Sequence, residues 1–157
     1  MDENAGGRSL FNNGKEDCAF CKIARGEVPT FIVFEDEASL AFLDDRPLFP
    51  GHCLLIPRRH FETLLDLPAS SITALFSNAQ LLACALELAL GAEGSFVAVN
   101  NRVSQSVPHF HIHVVPRRKK DGLKGFFWPR QKYQNEAAML EVQGVLKSAI
   151  AQLQDGR

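Results

Sequence analysis

Three imidazoles stand at every second position in His109-Phe110-His111-Ile112-His113-Val114-Val115. Side chains alternate along an extended chain, so this spacing predicts a strand over 109–115. His109, His111 and His113 share one face, and Phe110, Ile112 and Val114 anchor the other in apolar packing. Neighbouring rings would start about 6.6 Å apart, close enough to converge on one small ligand. Imidazole is a nucleophile, a proton carrier and a metal ligand near neutral pH. The row therefore suits attack on a phosphate held between two rings, coordination of a catalytic zinc, or plain hydrogen bonding. A second group, Cys18-Ala19-Phe20-Cys21, is a C-x2-C pair that suits half a zinc site, a redox pair or two buried thiols. A thioredoxin-type motif needs a preceding strand and a βαβ context, and neither is evident.

The elements that must position these groups are legible in outline. Cys18 to Arg25 reads as a short helix with Asp17 as cap candidate and Gly26 as stop. Thr30–Phe34, Ser39–Leu43 and His52–Ile56 read as strands separated by turn chemistry, with connections too short for helical crossovers, which implies antiparallel pairing. Ile72, Leu75, Phe76, Ala79, Leu82, Ala83, Leu86 and Leu90 recur at three and four, predicting a long helix that stops at Gly91. Ser95–Val99 is a further strand before the histidine strand, and Met139, Val142, Leu146, Ile150 and Leu153 mark a C-terminal helix. Helices and strands are segregated, so the class is α+β, with about five antiparallel strands and helices on one face.

The chain has 157 residues, 46% hydrophobic and 22% charged, about one domain with a core of its own. Residues 1–17 read as a flexible tail and 18–157 as a single domain. Lys+Arg is 17 against Asp+Glu 18, a net charge of -1, which excludes a globally basic nucleic-acid binder and argues against a membrane-surface binder. No apolar run approaches the ~20 residues of a transmembrane helix, and the polar start has no hydrophobic signal core. A cytoplasmic protein is the expectation, and its four cysteines are then thiols or metal ligands.

The histidine run resembles the His-φ-His-φ-His-φ-φ signature of the histidine triad (HIT) family. The resemblance extends in order through Cys18–Ile23, Gly26–Pro29, Phe34–Asp36, Ala41–Asp44, Gly51–Pro57 with His60, Asn100 and Gln105–Val107. It implies a HIT-like α+β fold pairing into a homodimer, and a hydrolase or transferase acting on a small-molecule nucleotide. By that likeness His111 is the nucleophile, attacking the α-phosphorus to form a nucleotidyl-histidine. The backbone carbonyl of His109 fixes its tautomer, and His113 hydrogen-bonds a phosphate oxygen. Asn100 and Ser106 would donate to the phosphate, and Gln105 would contact the bridging or leaving group. Asp44 would accept from the ribose, or simply form the turn before Pro47. Phe20, Ile23, Val28 and Phe42 would line the base slot, a role compatible with plain core. His52 would orient the triad, or be a polar residue starting a strand. A subset of the family carries zinc on residues matching Cys18, Cys21, His60 and His109, a closed Cys2His2 set suited to structural metal. Cys53 and Cys84 read as buried and inert.

Two departures from the family pattern stand out. Only Arg102-Val103-Ser104 separates Asn101 from Gln105, a short loop without glycine, and Pro108 stands where an aromatic residue is common. The run Arg117-Arg118-Lys119-Lys120 reads as a solvated turn or as a collar for extra phosphates, and Trp128 with Phe127 as an interface or base-stacking pair. Four functions follow: a nucleotide hydrolase acting through His111, a hydrolase with triad-held catalytic zinc, a nucleotide-binding module with little turnover, and a nucleotidyltransferase. Substrates of the first would be dinucleoside polyphosphates or nucleoside phosphoramidates.

Overall fold

The computed structural model describes residues 16–123 and 132–155. Phe127 and Trp128, and most of the N-terminal tail, lie outside the described residues. The chain divides into two compact units, one through Asp121 and one from Gly122.

In the first unit the order is helix α1 (Ala19–Ala24), strands β1 (Ile32–Glu35), β2 (Ser39–Leu43) and β3 (Cys53–Pro57), helix α2 (Ala69–Leu90), and strands β4 (Gly94–Ala98) and β5 (Ile112–Arg117). The strands form one antiparallel sheet in the order β1-β2-β3-β5-β4, which is the expected five-stranded α+β architecture. Helices cover both faces of the sheet rather than the one expected, because Phe20 gives α1 an apolar contact of its own. Ala41, Leu55, Ile112 and Val114 pack with Leu75, Ala79, Leu82 and Leu86 of α2. Leu40, Phe42, Leu54 and Ile56 pack with Phe20 of α1 on the other side. Cross-strand register puts Phe42 opposite Leu54 and Leu54 opposite His113, so the second face carries the histidines. In the second unit α3 (Glu136–Asp155) forms the expected C-terminal helix.

Several boundaries differ from the sequence reading. β5 begins at Ile112 rather than His109, because the chain before it bonds elsewhere: the Phe110 N–H donates to the Phe61 carbonyl (2.6 Å) and the His109 N–H to Val107 (2.8 Å). Cys18, not Asp17, caps α1, and its side chain makes no cap bond. Cys84 is exposed; the buried positions 75, 79, 82 and 86 define one face of α2, and residue 84 falls on the opposite side at 100° per residue. Cys53 is buried, as expected. α2 itself is long and apolar enough, by length and composition, to cross a membrane, contrary to the expected absence of such a run. Its termination does follow expectation, with Gly91 in the left-handed region (φ 61°).

Candidate active site and metal cluster

Backbone groups of known polarity assign the ring protons one after another. A carbonyl can only accept. The His109 carbonyl lies 2.7 Å from His111 Nδ1, so Nδ1 carries the proton and the neutral ring keeps its lone pair at Nε2. The Leu48 N–H can only donate, and it donates to His52 Nδ1 (3.2 Å). His52 therefore holds its proton at Nε2, which faces His113 Nδ1 at 3.0 Å. His113 accepts there and is left with Nε2–H as an outward donor. The rings of His111 and His113 stand 4.9 Å apart, centroid to centroid. Burial, reinforced by His111 and His52, pushes the pKa of His113 down to about 4, and burial lowers His52 despite Asp44 nearby, so this relay is neutral at physiological pH.

His109 turns to a different task. Its Nε2–H donates to the Pro57 carbonyl (2.9 Å), leaving Nδ1 as a lone-pair donor 3.5 Å from both Cys18 Sγ and Cys21 Sγ. His60 Nδ1 lies 3.3 Å from Cys21 Sγ. The four donor atoms lie within 4.8 Å of one another. A tetrahedral zinc with bonds of ~2.3 Å to sulfur and ~2.05 Å to nitrogen would set each S···N edge at roughly 3.6 Å. The cluster therefore fits a four-coordinate ion, and the His109–Pro57 bond supplies the outer partner that metal-bound imidazoles use. Asp44, His52 and His113 also converge within 4.8 Å. There the nitrogen lone pairs of His52 and His113 already accept hydrogen bonds, which argues against a catalytic ion held by the triad.

Asp44 does form the expected turn, its Oδ1 accepting from the Arg46 N–H (2.9 Å), while Oδ2 lies 3.6 Å from His52 Nδ1. Phe20 is buried and meets Phe42 (5.4 Å) and His111 (5.3 Å) in T-shaped geometry, and Ile23 packs in the same cluster. Val28 is exposed. Asn100 follows β4 two residues beyond Ala98, the register partner of His113. Ser106 lines a cleft with Cys18 and His60, on the side of the metal cluster. Gln105 braces its own loop: Oε1 accepts from the Arg102 N–H (2.7 Å) and Nε2 donates to the Glu62 carbonyl (2.6 Å). Each end keeps further capacity, one more N–H and one more lone pair. The glycine-free loop turns by placing Arg102 (φ 68°) and Ser104 (φ 59°) in the left-handed region. The basic run behaves as a turn: Arg117 pairs with Asp121, Arg118 donates to the Leu90 carbonyl and the Lys119 N–H to Glu93.

Sequence reasoning missed the backbone groups of Leu48 and Pro57, which set tautomers without any side-chain signature. It also missed Arg58, whose guanidinium ties the Ala24 and Asp36 carbonyls together (3.3 and 2.7 Å) and pairs with Glu35 (2.8 Å).

Comparison with known proteins places these features among relatives. The HIT domain model matches residues 25–120. Adenylylsulfatase HINT3 of Arabidopsis thaliana is 40% identical over 111 residues, 69% of this chain and 56% of that protein, so the chain spans little more than half of that relative's length. Adenosine 5'-monophosphoramidase HNT1 of Saccharomyces cerevisiae is 38% identical over 117 residues, 73% of this chain and 72% of that protein. A HIT family protein from Bacillus subtilis superposes with a TM-score of 0.76 at 30% identity, covering 85% of this chain and 96% of its own. A Zn-bound histidine triad family protein from Mycobacterium smegmatis gives 0.67 at 35% identity, covering 92% and 100%.

Proposed function

The chain belongs to the HIT domain family, and from that premise we propose that it is a nucleotide hydrolase that opens a bond to the α-phosphorus of a nucleotide through a covalent nucleotidyl-His111. The carrying observation is the 2.7 Å contact between His111 Nδ1 and the His109 carbonyl. It leaves Nε2 free to attack, and the same carbonyl stabilises the positive ring that forms as the P–N bond is made. The leaving group departs with the electrons of its bond to phosphorus. His113 Nε2–H, held in place by His52, donates to a phosphate oxygen. Water then attacks phosphorus and gives up one proton to solvent, and the P–N electrons return to Nε2 as the nucleoside monophosphate leaves.

Asp44 would accept from the ribose, Asn100 and Ser106 would donate to phosphate, and Phe20, Ile23 and Phe42 would flank the base. Relatives named for adenylyl sulfate and adenosine monophosphoramidate support adenylyl compounds with a compact leaving group. Diadenosine polyphosphates remain in the proposed range, with Arg117 and Arg118 of the basic run engaged in the turn and the Lys119 side chain exposed. Cys18, Cys21, His60 and His109 would hold a structural zinc, a reading supported by the S···N distances and the Zn-bound relative. The ion would supply cross-linking rather than chemistry on substrate. A homodimer in the cytosol completes the reading, the latter in keeping with four cysteines that are not joined in disulfides.

The test is product analysis on adenosine phosphoramidate, adenylyl sulfate and diadenosine polyphosphates, comparing wild type with His111→Ala. The variant is expected to lose at least about 10^3-fold in turnover while still binding AMP. Undiminished turnover in His111→Ala removes the nucleophile. Release of a nucleoside diphosphate only when phosphate is added would make the chain a transferase.

A further inference from the structure

Helix α1 is too short to stand by itself. It has six residues and no side-chain cap, where an isolated helix in water needs roughly 12–15. Arg58 donates to its last carbonyl, and Phe20 packs beneath it. Ile23 and Ala24 pack at the edge of the same apolar cluster, and the helix is further tied at Cys18 and Cys21, whose sulfurs face His60 and His109. Those two cysteines flank Phe20, and the Phe20 ring meets His111 edge-on, at 5.3 Å and 89°. A second path runs through His109. Its Nδ1 faces both sulfurs, and its own carbonyl holds His111 Nδ1–H. The four-donor cluster thus reaches His111 twice, once through a side chain on α1 and once through the main chain of a donor residue.

We propose that a metal ion held by Cys18, Cys21, His60 and His109 positions His111, so that metal binding and nucleotide binding are energetically coupled, with Phe20 and His109 as the positioning residues. This deepens the reading of His111 as nucleophile and rests on it. Four bonds of fixed length set the distance between α1 and His109, whereas thiols and imidazoles alone offer only weak S···N hydrogen bonds. When α1 loosens, Phe20 no longer confines the His111 ring, and the His109 carbonyl is less sharply placed. His111 then populates the tautomer with its proton at Nε2, which cannot attack. The His109 and Phe110 N–H bonds to Val107 and Phe61 still hold the main chain, so the coupling is graded rather than all-or-none. Linkage makes it reciprocal: whatever the ion does for the nucleotide, the nucleotide does for the ion.

The experiment titrates Zn(II) into the zinc-depleted full chain with and without AMP, and reads the His111 tautomer by long-range 1H–15N NMR. The zinc-loaded chain is expected to show His111 as a single Nδ1–H tautomer and the depleted chain a mixture. AMP should tighten zinc binding about fivefold or more, the low end of measured couplings. Phe20→Leu, which keeps all four donors, should bring that factor below twofold and mix the tautomers even with zinc bound. If Phe20 only touches the base, AMP affinity falls equally in both zinc states and the factor is unchanged, which overturns its positioning role. The same His111 spectrum and AMP affinity with and without zinc overturn the coupling altogether. If the depleted chain unfolds, the loaded chain decides: a single tautomer in zinc-loaded Phe20→Leu overturns the Phe20 path, and equal transfer of zinc to a competing chelator with and without AMP overturns the coupling. Turnover surviving in His111→Ala would instead remove the nucleophile and leave these linkage results standing.

Discussion

At the scale of single residues, the site is a set of imidazoles whose protons are placed by backbone groups. His111, His113 and His109 are chemically identical side chains, yet one keeps its lone pair at Nε2, one presents a donor, and one offers Nδ1 to two thiols. The difference lies in which carbonyl or N–H each meets. His52 is the link in this chain that mutation can break cleanly. His52→Ala is expected to lower kcat about 10^2-fold, the lower end for a lost general acid–base or oriented donor, with a much smaller change in KM. Steady-state kinetics over the substrate panel would check it, and an unchanged kcat would dismiss the relay. The lowered pKa of His113 also gives stability a direction with pH. Folding favours its neutral ring, so between about pH 4 and 6.5 the unfolded chain binds more protons. Stability is therefore complete above pH 6.5 and is lost as pH falls toward 4. The slope from this ring should stay well under the ~1.4 kcal/mol per pH unit of a fully buried group, because His113 is partly exposed and water screens it. Urea melts at stepped pH measure it, and His113→Gln should flatten that part of the profile.

At the scale of elements, α2 carries the sheet and its position was readable from period alone. Leu75, Ala79, Leu82 and Leu86 are the buried positions, and Leu82→Ala should cost about 2–5 kcal/mol by loss of transfer energy and cavity formation. A denaturant midpoint shift at unchanged m-value would report it. A polar tie accompanies this packing: Asn78 Nδ2 donates to Asp36 Oδ2 (2.7 Å) and to Ser39 Oγ (2.9 Å), joining α2 to the start of β2. Ser39 is fully buried, so Asn78→Ala leaves it and Asp36 short of a donor and should cost about 1–3 kcal/mol. A thermal melt of that variant matching wild type would show that water takes the place of the amide. The onset of β5 was not legible, because alternation runs on through 109–111. Whether those residues join the sheet depends on where their N–H groups find acceptors, and Phe61 and Val107 outcompete β3 there. Cys84 is a different case: it lies opposite the stripe of 75, 79, 82 and 86 at 100° per residue, so its exposure was legible in the same period.

At the scale of the whole molecule, the four-donor cluster joins parts of the chain far apart in sequence: α1, the segment after β3, and the approach to β5. Metal removal should therefore act on global stability. Chelation is expected to lower Tm by about 10 °C, as follows from ~4 kcal/mol of binding at thousandfold saturation, with one zinc per chain regained on refolding. Scanning calorimetry with metal analysis would check both, and a Tm indifferent to chelator would make the cluster a pair of inert thiols beside two histidines. The proposed homodimer predicts twice 17.4 kDa by light scattering; a mass of one chain would exclude it.

The order of elements, the antiparallel sheet and the row of three imidazoles are written in residue type and spacing, and the Cys18, Cys21, His60 and His109 set was reached only through the family resemblance. Local periodicity and side-chain chemistry are properties of a short stretch of chain and survive without the fold. The division of labour among the histidines is not written there. It depends on the carbonyls of His109 and Pro57 and the N–H of Leu48, and on which ring each of them meets. Those groups are the same in every residue, so only the folded path of the main chain decides which imidazole keeps its lone pair at Nε2, which presents a donor and which faces the two thiols.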